Sequence, residues 1–240
     1  DSTILSILGL DPNTTYYLRV GALWGATTSY APTLSTSTFA TPPAGLAFQD
    51  IFFTSATVNW APHPLSPPDA SSKTAEGYVL EASTASNFTG TRYSSATTNI
   101  GLSTLTVAGL SVNTTYFWRV GSLNWNSATH YALVGASATL AGHPGTIAPM
   151  FYSVFSSSLS AQWTAGSPAN PTGTRYRLEG SSAAFAQGTA IVASNTFNTF
   201  GTLSGLLPNT TYELRVTALN RNNVPAPTPL ASTSTLAGLL

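Results

Sequence analysis

Histidine, the side chain best suited to acid–base chemistry near neutral pH, occurs three times in this 240-residue chain, as His63, His130 and His143. None stands beside a recurring nucleophile or acid, and there is neither a Gly-x-Ser-x-Gly elbow nor a phosphate-cradling glycine loop. A lone loop histidine of this kind is expected to be solvated. Glu81 and Glu179 occupy equivalent strand positions, but recurrence in each repeat argues for a structural or surface role rather than a catalytic acid pair. Only four aspartates are present and none lies between repeats, so no cluster of acids is offered to calcium. Cysteine is absent, which excludes disulfides and thiolate metal sites and leaves the redox compartment unmarked. Neither a catalytic residue nor a cofactor or metal site is expected, and the chain reads as a non-enzyme.

The remaining candidates are residues of recognition. Trp24 and Tyr30 correspond to Trp125 and Tyr131 one repeat later, while the third repeat has Arg221, Asn222 and Asn223 there. Exposed Trp and Tyr suit a protein interface or sugar stacking, and packing on adjacent loops or on the next domain is the competing reading. Phe117, expected to point outward from its strand, and the run Met150 to Phe155 add apolar surface, although core packing explains part of that run equally well. Asn-x-Thr sequons stand at Asn13, Asn87, Asn113 and Asn209. Asn13, Asn113 and Asn209 lie in a turn where Asn and Thr are favoured by geometry alone, so Asn87, in a loop, is the better glycan acceptor.

These residues are positioned by a repeat. Leu-x-x-Asn-Thr-Thr-Tyr-x-x-Arg-Val occurs three times, at Leu10 to Val20, Leu110 to Val120 and Leu206 to Val216. Asn-Thr-Thr is turn-forming, and apolar residues then alternate with polar ones: Tyr16, Leu18, Val20, then Tyr116, Trp118, Val120, then Tyr212, Leu214, Val216. Each set predicts a strand with one buried face. Further strands are expected at Thr54 to Trp60, Gly77 to Ser83, Thr104 to Ala108 and Gly135 to Leu140. Their third-copy counterparts are Ser158 to Trp163, Arg175 to Ser181, Thr199 to Ser204 and Ala231 to Leu236.

The first 40 residues match only the last three strands of this plan, with Ser2 to Leu8 and Leu34 to Phe39 flanking the motif. The expected organisation is a partial domain at 1–40 and whole domains at 41–140 and 141–240, joined at Thr41 to Gly45 and Ala141 to Gly145 by short Pro/Gly linkers that favour a stiff string. Because Thr235-Leu236-Ala237-Gly238 repeats Thr139-Leu140-Ala141-Gly142, a longer tandem array is expected, and the start at Asp1 reads as that of a processed or partial product. The missing strands of the first copy are expected either upstream in the same polypeptide or from a neighbouring subunit that donates them.

Charged residues are 7% of the chain, against roughly 25% in an average soluble protein. Eight basic and eight acidic side chains cancel, so no net field draws nucleic acid, an anionic membrane or a charged substrate. A surface this neutral lacks the repulsion that keeps monomers apart, which suits a protein that associates. Hydrophobic residues at 42% and aromatics at 11% exclude disorder, and no membrane span is present.

The residues together resemble fibronectin type III domains over essentially the whole chain. The pattern comprises a tryptophan on the second strand (Trp60, Trp163), a tyrosine on the third (Tyr78, Tyr176), a leucine ending the fifth (Leu10, Leu110, Leu206) and a corner tyrosine on the sixth (Tyr16, Tyr116, Tyr212). The resemblance implies an all-β chain of tandem seven-stranded antiparallel β-sandwiches of immunoglobulin-like architecture, and no particular activity. No Arg-Gly-Asp tripeptide is present for integrins. The expected role is a structural, extracellular or cell-surface array that self-associates, head to tail and laterally, into a homopolymer forming a fibre or its stalk. A secreted adhesive or carbohydrate-binding accessory module, with a glycan as partner, is the alternative, and an appendage of a polysaccharide-degrading enzyme is a third.

Overall fold

The alternation that follows each Asn-Thr-Thr turn becomes a strand, paired once in the first copy and lying inside a four-stranded sheet in the second and third, in a computed structural model that describes residues 4–64 and 74–238. The chain divides into two compact units. The first comprises Asp1–Asp50, Ala56–Ala108 and Phe117–Ala136, and the second Ile51–Ser55, Gly109–Tyr116 and Ser137–Leu240. Every described element is a strand, and no helix is long and apolar enough to cross a membrane.

The first copy contributes two antiparallel pairs. Strand β1 (Thr15–Leu18) pairs with β4 (Leu34–Ser37), and β2 (Gly21–Trp24) with β3 (Thr27–Tyr30). The second copy forms a three-stranded sheet of β5 (Ala44–Ile51), β6 (Ser55–Ala61) and β9 (Thr104–Ala108). Its other sheet has β7 (Gly77–Ser83) flanked by β8 (Arg92–Thr97) and β10 (Thr115–Leu123), with β11 (Thr129–Ala138) at the edge. The third copy repeats this. A sheet of β12 (Phe151–Val154), β13 (Ser158–Gln162) and β16 (Phe200–Ser204) accompanies one ordered β15 (Val192–Thr196), β14 (Arg175–Ser181), β17 (Thr211–Leu219), β18 (Pro225–Ser234).

Alternating side chains from the two sheets of each whole copy meet in its core. In the third, Leu159, Trp163 and Leu203 pack against Tyr176, Leu178, Leu214 and Val216, with Phe151 and Val154 along the margin. In the second, Val58, Trp60 and Val107 are buried with Tyr78, Leu80, Trp118 and Val120, and Phe48 meets Trp118 edge-on at 5.8 Å. Each fully buried side chain of this size stabilises by roughly 1.5–3 kcal/mol relative to exposure. The run Met150 to Phe155 divides across a β-bulge: the ladder shifts register between Phe151 and Ser153, so Phe151 and Val154, three residues apart, both face the core, whereas Tyr152 and Phe155 are exposed.

Two expectations are corrected. Residues 4–8 form no strand, and Ser2 and Thr3 of the expected segment lie outside the described residues. Strands β9 and β16, its counterparts, are laddered to β6 and β13, and among the described residues the first copy has no equivalent strand to supply those hydrogen bonds. For the same reason its inward face is wet: Val20 is 66% exposed where Val120 and Val216 are 0% exposed. The first junction is also shorter than expected, because β5 already begins at Ala44 within Thr41 to Gly45.

Candidate interaction sites

The asparagine that opens each Asn-Thr-Thr turn sits in the left-handed region, with φ of 49° at Asn13, 47° at Asn113 and 47° at Asn209, a conformation asparagine tolerates better than most residues. Its backbone N–H donates to the carbonyl at the end of its own last strand, Asn13 to Phe39 (2.9 Å) and Asn113 to Leu140 (3.1 Å). That leaves the amide side chain aimed away from its own sandwich. In the first unit Asn13 Nδ2 donates to Glu76 Oε1 (3.0 Å) and approaches Thr74 Oγ1 (3.5 Å). In the second unit Asn113 Nδ2 donates to Thr174 Oγ1 (2.9 Å), and Asn113 Oδ1 accepts from the Arg221 N–H (3.0 Å). Asn13 Oδ1 is buried without a partner. Thr74 and Thr174 each belong to the following copy, so each asparagine bridges two successive repeats inside one unit.

The following copy answers with the hairpin loop between its last two strands. Asn124 Oδ1 accepts from the N–H groups of Asn126 (3.0 Å) and Ala128 (2.8 Å), and Asn220 Oδ1 accepts in the same way from Asn222 (2.9 Å) and Val224 (2.8 Å). Each amide thus builds its own tight turn. Its Nδ2 then reaches back to the preceding copy: Asn124 to the carbonyls of Thr38 (2.9 Å) and Ser37 (3.2 Å), and Asn220 to that of Thr139 (3.1 Å). Asn126 Nδ2 donates to Thr36 Oγ1 (3.3 Å) and Asn222 Nδ2 to Ser137 Oγ (3.0 Å). A knob of the form Asn-x-Asn thus meets backbone carbonyl and side-chain hydroxyl groups of the preceding copy twice, and in the second junction the turn asparagine Asn113 as well. Asn170 fastens the second linker directly, exchanging two 2.7 Å hydrogen bonds with Gly142.

The aromatic candidates separate into two kinds. Tyr131 lies under the Arg119 guanidinium (3.7 Å), which also covers Phe88 (4.0 Å) and pairs with Glu81 (2.6 Å). Burial, then the charge of Glu81, push the Tyr131 hydroxyl pKa up. Tyr30 lies under Arg19 in the same way, at 3.9 Å. In the third copy Arg215 covers Phe185 (4.2 Å) and pairs with Glu179 (2.6 Å), which also meets Arg177 (3.1 Å). The recurring glutamates therefore clamp an arginine on the outer face of the sheet. Trp24 and Trp125, by contrast, are 86% and 59% exposed at their loop tips, and Phe117 is half-buried on β10.

None of the three histidines is merely solvated, contrary to expectation. Each ring bonds to a backbone carbonyl: His63 Nε2 to Thr41 (2.9 Å), His130 Nδ1 to Ala40 (3.0 Å) and His143 Nδ1 to Pro227 (3.0 Å). Burial lowers the His63 pKa, opposed by its bond to the Thr41 carbonyl. Burial likewise raises the pKa of Tyr78 and Tyr176, the partners of Trp60 and Trp163 in the cores. Among the described residues no three metal-ligating side chains converge. Of the four sequons, those at Asn87 and Asn209 are exposed, whereas Asn13 and Asn113 are engaged in the junctions with 0% and 2% exposure and have no room for a glycan.

The junction residues Thr74, Thr174, Asn124 and Asn220 did not stand out in the sequence, although Leu-Asn-x-Asn at 123–126 and 219–222 is a readable repeat. Phe88 and Phe185 were also missed.

A model of the fibronectin type III domain family matches residues 149–233. In structure, a two-domain fibronectin type III segment from chicken tenascin is similar, with a TM-score of 0.52 and 18% identity over 79% of this chain and 98% of that one. The FN1–FN3 domains of chicken CNTN1 give a TM-score of 0.36 and 18% identity over 94% of this chain and 78% of that one. No curated protein matches the chain in sequence. Residues 149–233 thus form a fibronectin type III domain, and the sheets that precede it carry the same fold in tandem.

Proposed function

We infer that the chain is a non-catalytic, extracellular or cell-surface tandem array that acts as the subunit or stalk of a fibre. The observation that supports this reading most strongly is the junction, built twice from equivalent residues. A spacer needs only a linker, whereas a chain that encloses Asn113 and Asn220 between repeats, at 2% and 4% exposure, spends sequence on fixing the angle at which one sandwich follows another. Stiffness of that kind is what a fibre requires. The neutral surface removes electrostatic repulsion between copies, and the open sheet of the first copy offers an apolar face lined by Leu18, Val20 and Leu34. Electron microscopy of the native material, with an intact mass on the same sample, tests the reading. Ordered filaments with a regular axial repeat are expected, and dispersed monomers at high concentration would refute it.

The exposure of Trp24 and Trp125 favours a second reading, an adhesive module that stacks sugars on its loop tips. A saturable glycan-array signal lost in a Trp24→Ala, Trp125→Ala double variant is its signature.

A further inference from the structure

The third copy carries the same socket a third time, ready-made and facing solvent. The Asn209 N–H donates to the Leu236 carbonyl (3.0 Å), as that of Asn113 does to Leu140 (3.1 Å). Thr235 Oγ1 accepts from the Thr210 N–H (3.0 Å) and donates to the Leu207 carbonyl (2.6 Å), matching Thr139 with Thr114 (3.0 Å) and Ser111 (2.7 Å). Thr233 lies opposite Tyr212 in the ladder, as Thr36 lies opposite Tyr16, so the hydroxyl that receives the second asparagine of the knob is in place as well. What differs is burial. Asn209 and Ala237 are exposed where Asn113 and Ala141 are 2% and 1% exposed, and beside them Leu207 and Leu236 are 66% and 55% exposed.

The geometry points to this pole as the docking site of a further fibronectin type III-like domain, joined in tandem through Leu236-Ala237-Gly238. Its chemistry is set by the two junctions already formed. It presents a threonine hydroxyl to Asn209 Nδ2, as Thr174 does to Asn113. It presents an Asn-x-Asn hairpin loop whose first amide donates to the Thr235 carbonyl and whose second donates to the Thr233 hydroxyl. The N–H after the first asparagine donates to Asn209 Oδ1, as that of Arg221 does to Asn113. The hairpin loop of the first copy, Leu23-Trp24-Gly25-Ala26, lacks both asparagines, so the start of a second copy of these 240 residues does not supply the knob. The inference stands apart from the fibre reading, because an adhesive array would use the same socket.

The test compares two forms of the full chain: the 240 residues themselves, and the same chain with residues 143–238 joined again after Gly238. Asn209→Gly removes the amide while keeping the left-handed turn accessible. In the extended chain the Asn209 side-chain amide protons are expected to be protected from exchange, and Asn209→Gly to lower the melting temperature of the third domain by about 5 °C more than it does in the 240-residue chain, the size of shift that loss of a buried hydrogen-bond pair produces in a domain of this length. Equal shifts in the two chains, with free amide exchange in both, would overturn the inference. So would amide protection that appears in the 240-residue chain and grows with its concentration, since that would mark a contact between copies instead of a tandem neighbour.

Discussion

Asn13 and Asn113 occupy the same turn and bridge to the same kind of neighbour, yet their surroundings grade them differently. Asn113 has both ends of its amide paired, while Asn13 Oδ1 is buried without a partner. Replacing Asn113 by glycine strands the Arg221 N–H and the Thr174 hydroxyl, which should cost about 1–3 kcal/mol, and the same change at Asn13 should cost less because one unsatisfied atom leaves with the side chain. Urea denaturation of the two variants checks the order, and a larger loss at Asn13 would contradict it. His63 supplies a pH test at the same scale. Burial holds its folded pKa below the ordinary 6.5, so the fold favours the neutral ring and the unfolded chain binds more protons on acidification. The stability it confers is complete above about 6.5 and is lost as the pH falls from there toward the folded value. The urea midpoint of the first unit should therefore fall between pH 7.5 and pH 5.5, with a shallower fall in His63→Gln.

At the scale of elements, strands whose alternation survives in the sequence were legible. Gly77–Ser83, Thr104–Ala108 and Arg175–Ser181 form with the bounds that periodicity and turn residues suggest. Strands β5, β8, β12 and β15, each at one edge of its sheet, were not, because residues such as Tyr93-Ser94-Ser95 in β8 carry little apolar alternation to mark them. The junction was illegible for a different reason. Its residues are ordinary turn asparagines and threonines until the next repeat is placed against them, and nothing local distinguishes an amide that caps a loop from one that also binds a neighbour. One pairing is readable in hindsight. Gly21 lies opposite Tyr30 in the β2–β3 ladder, and Gly121 beside Tyr131, but the third copy has Thr217 opposite Pro227. A Cβ at Gly121 would run into Thr129 Cγ2 and come 2.8 Å from the Tyr131 ring. Gly121→Ala should therefore destabilise by about 1–3 kcal/mol by lifting Tyr131 off Arg119. In a double-mutant cycle Tyr131→Ala should relieve part of that cost, and strict additivity of the two changes in chemical denaturation would show that the ring is not what the methyl group meets.

For the whole molecule, the decisive contrast is between two completed sandwiches and one open one. Net charge is zero and charged residues are few, so neither long-range repulsion nor a counter-ion atmosphere opposes contact between copies. The first copy meanwhile presents Val20 at 66% and Leu34 at 75% exposure on the face that its counterparts bury. Contact through that face would be hydrophobic, and its response to salt distinguishes it from ion pairing. Association driven by opposite charges weakens as the Debye length shrinks from roughly 10 Å at 0.1 M to 3 Å at 1 M. Burial of apolar surface is instead strengthened by an excluded salt such as sulfate. Sedimentation velocity of the 240-residue chain should therefore show concentration-dependent self-association that increases with ammonium sulfate and is undiminished by 0.5 M sodium chloride. Val20→Asp with Leu34→Asp should abolish it, because two carboxylates on that face must either stay in water or pay several kcal/mol of desolvation without a partner. Their effect on folding should be slight, since both positions are already wet, and circular dichroism confirms that before the sedimentation result is read. Association that survives the double variant would place the contact elsewhere, with the exposed loop tips at Trp24 and Trp125 the next surface to change.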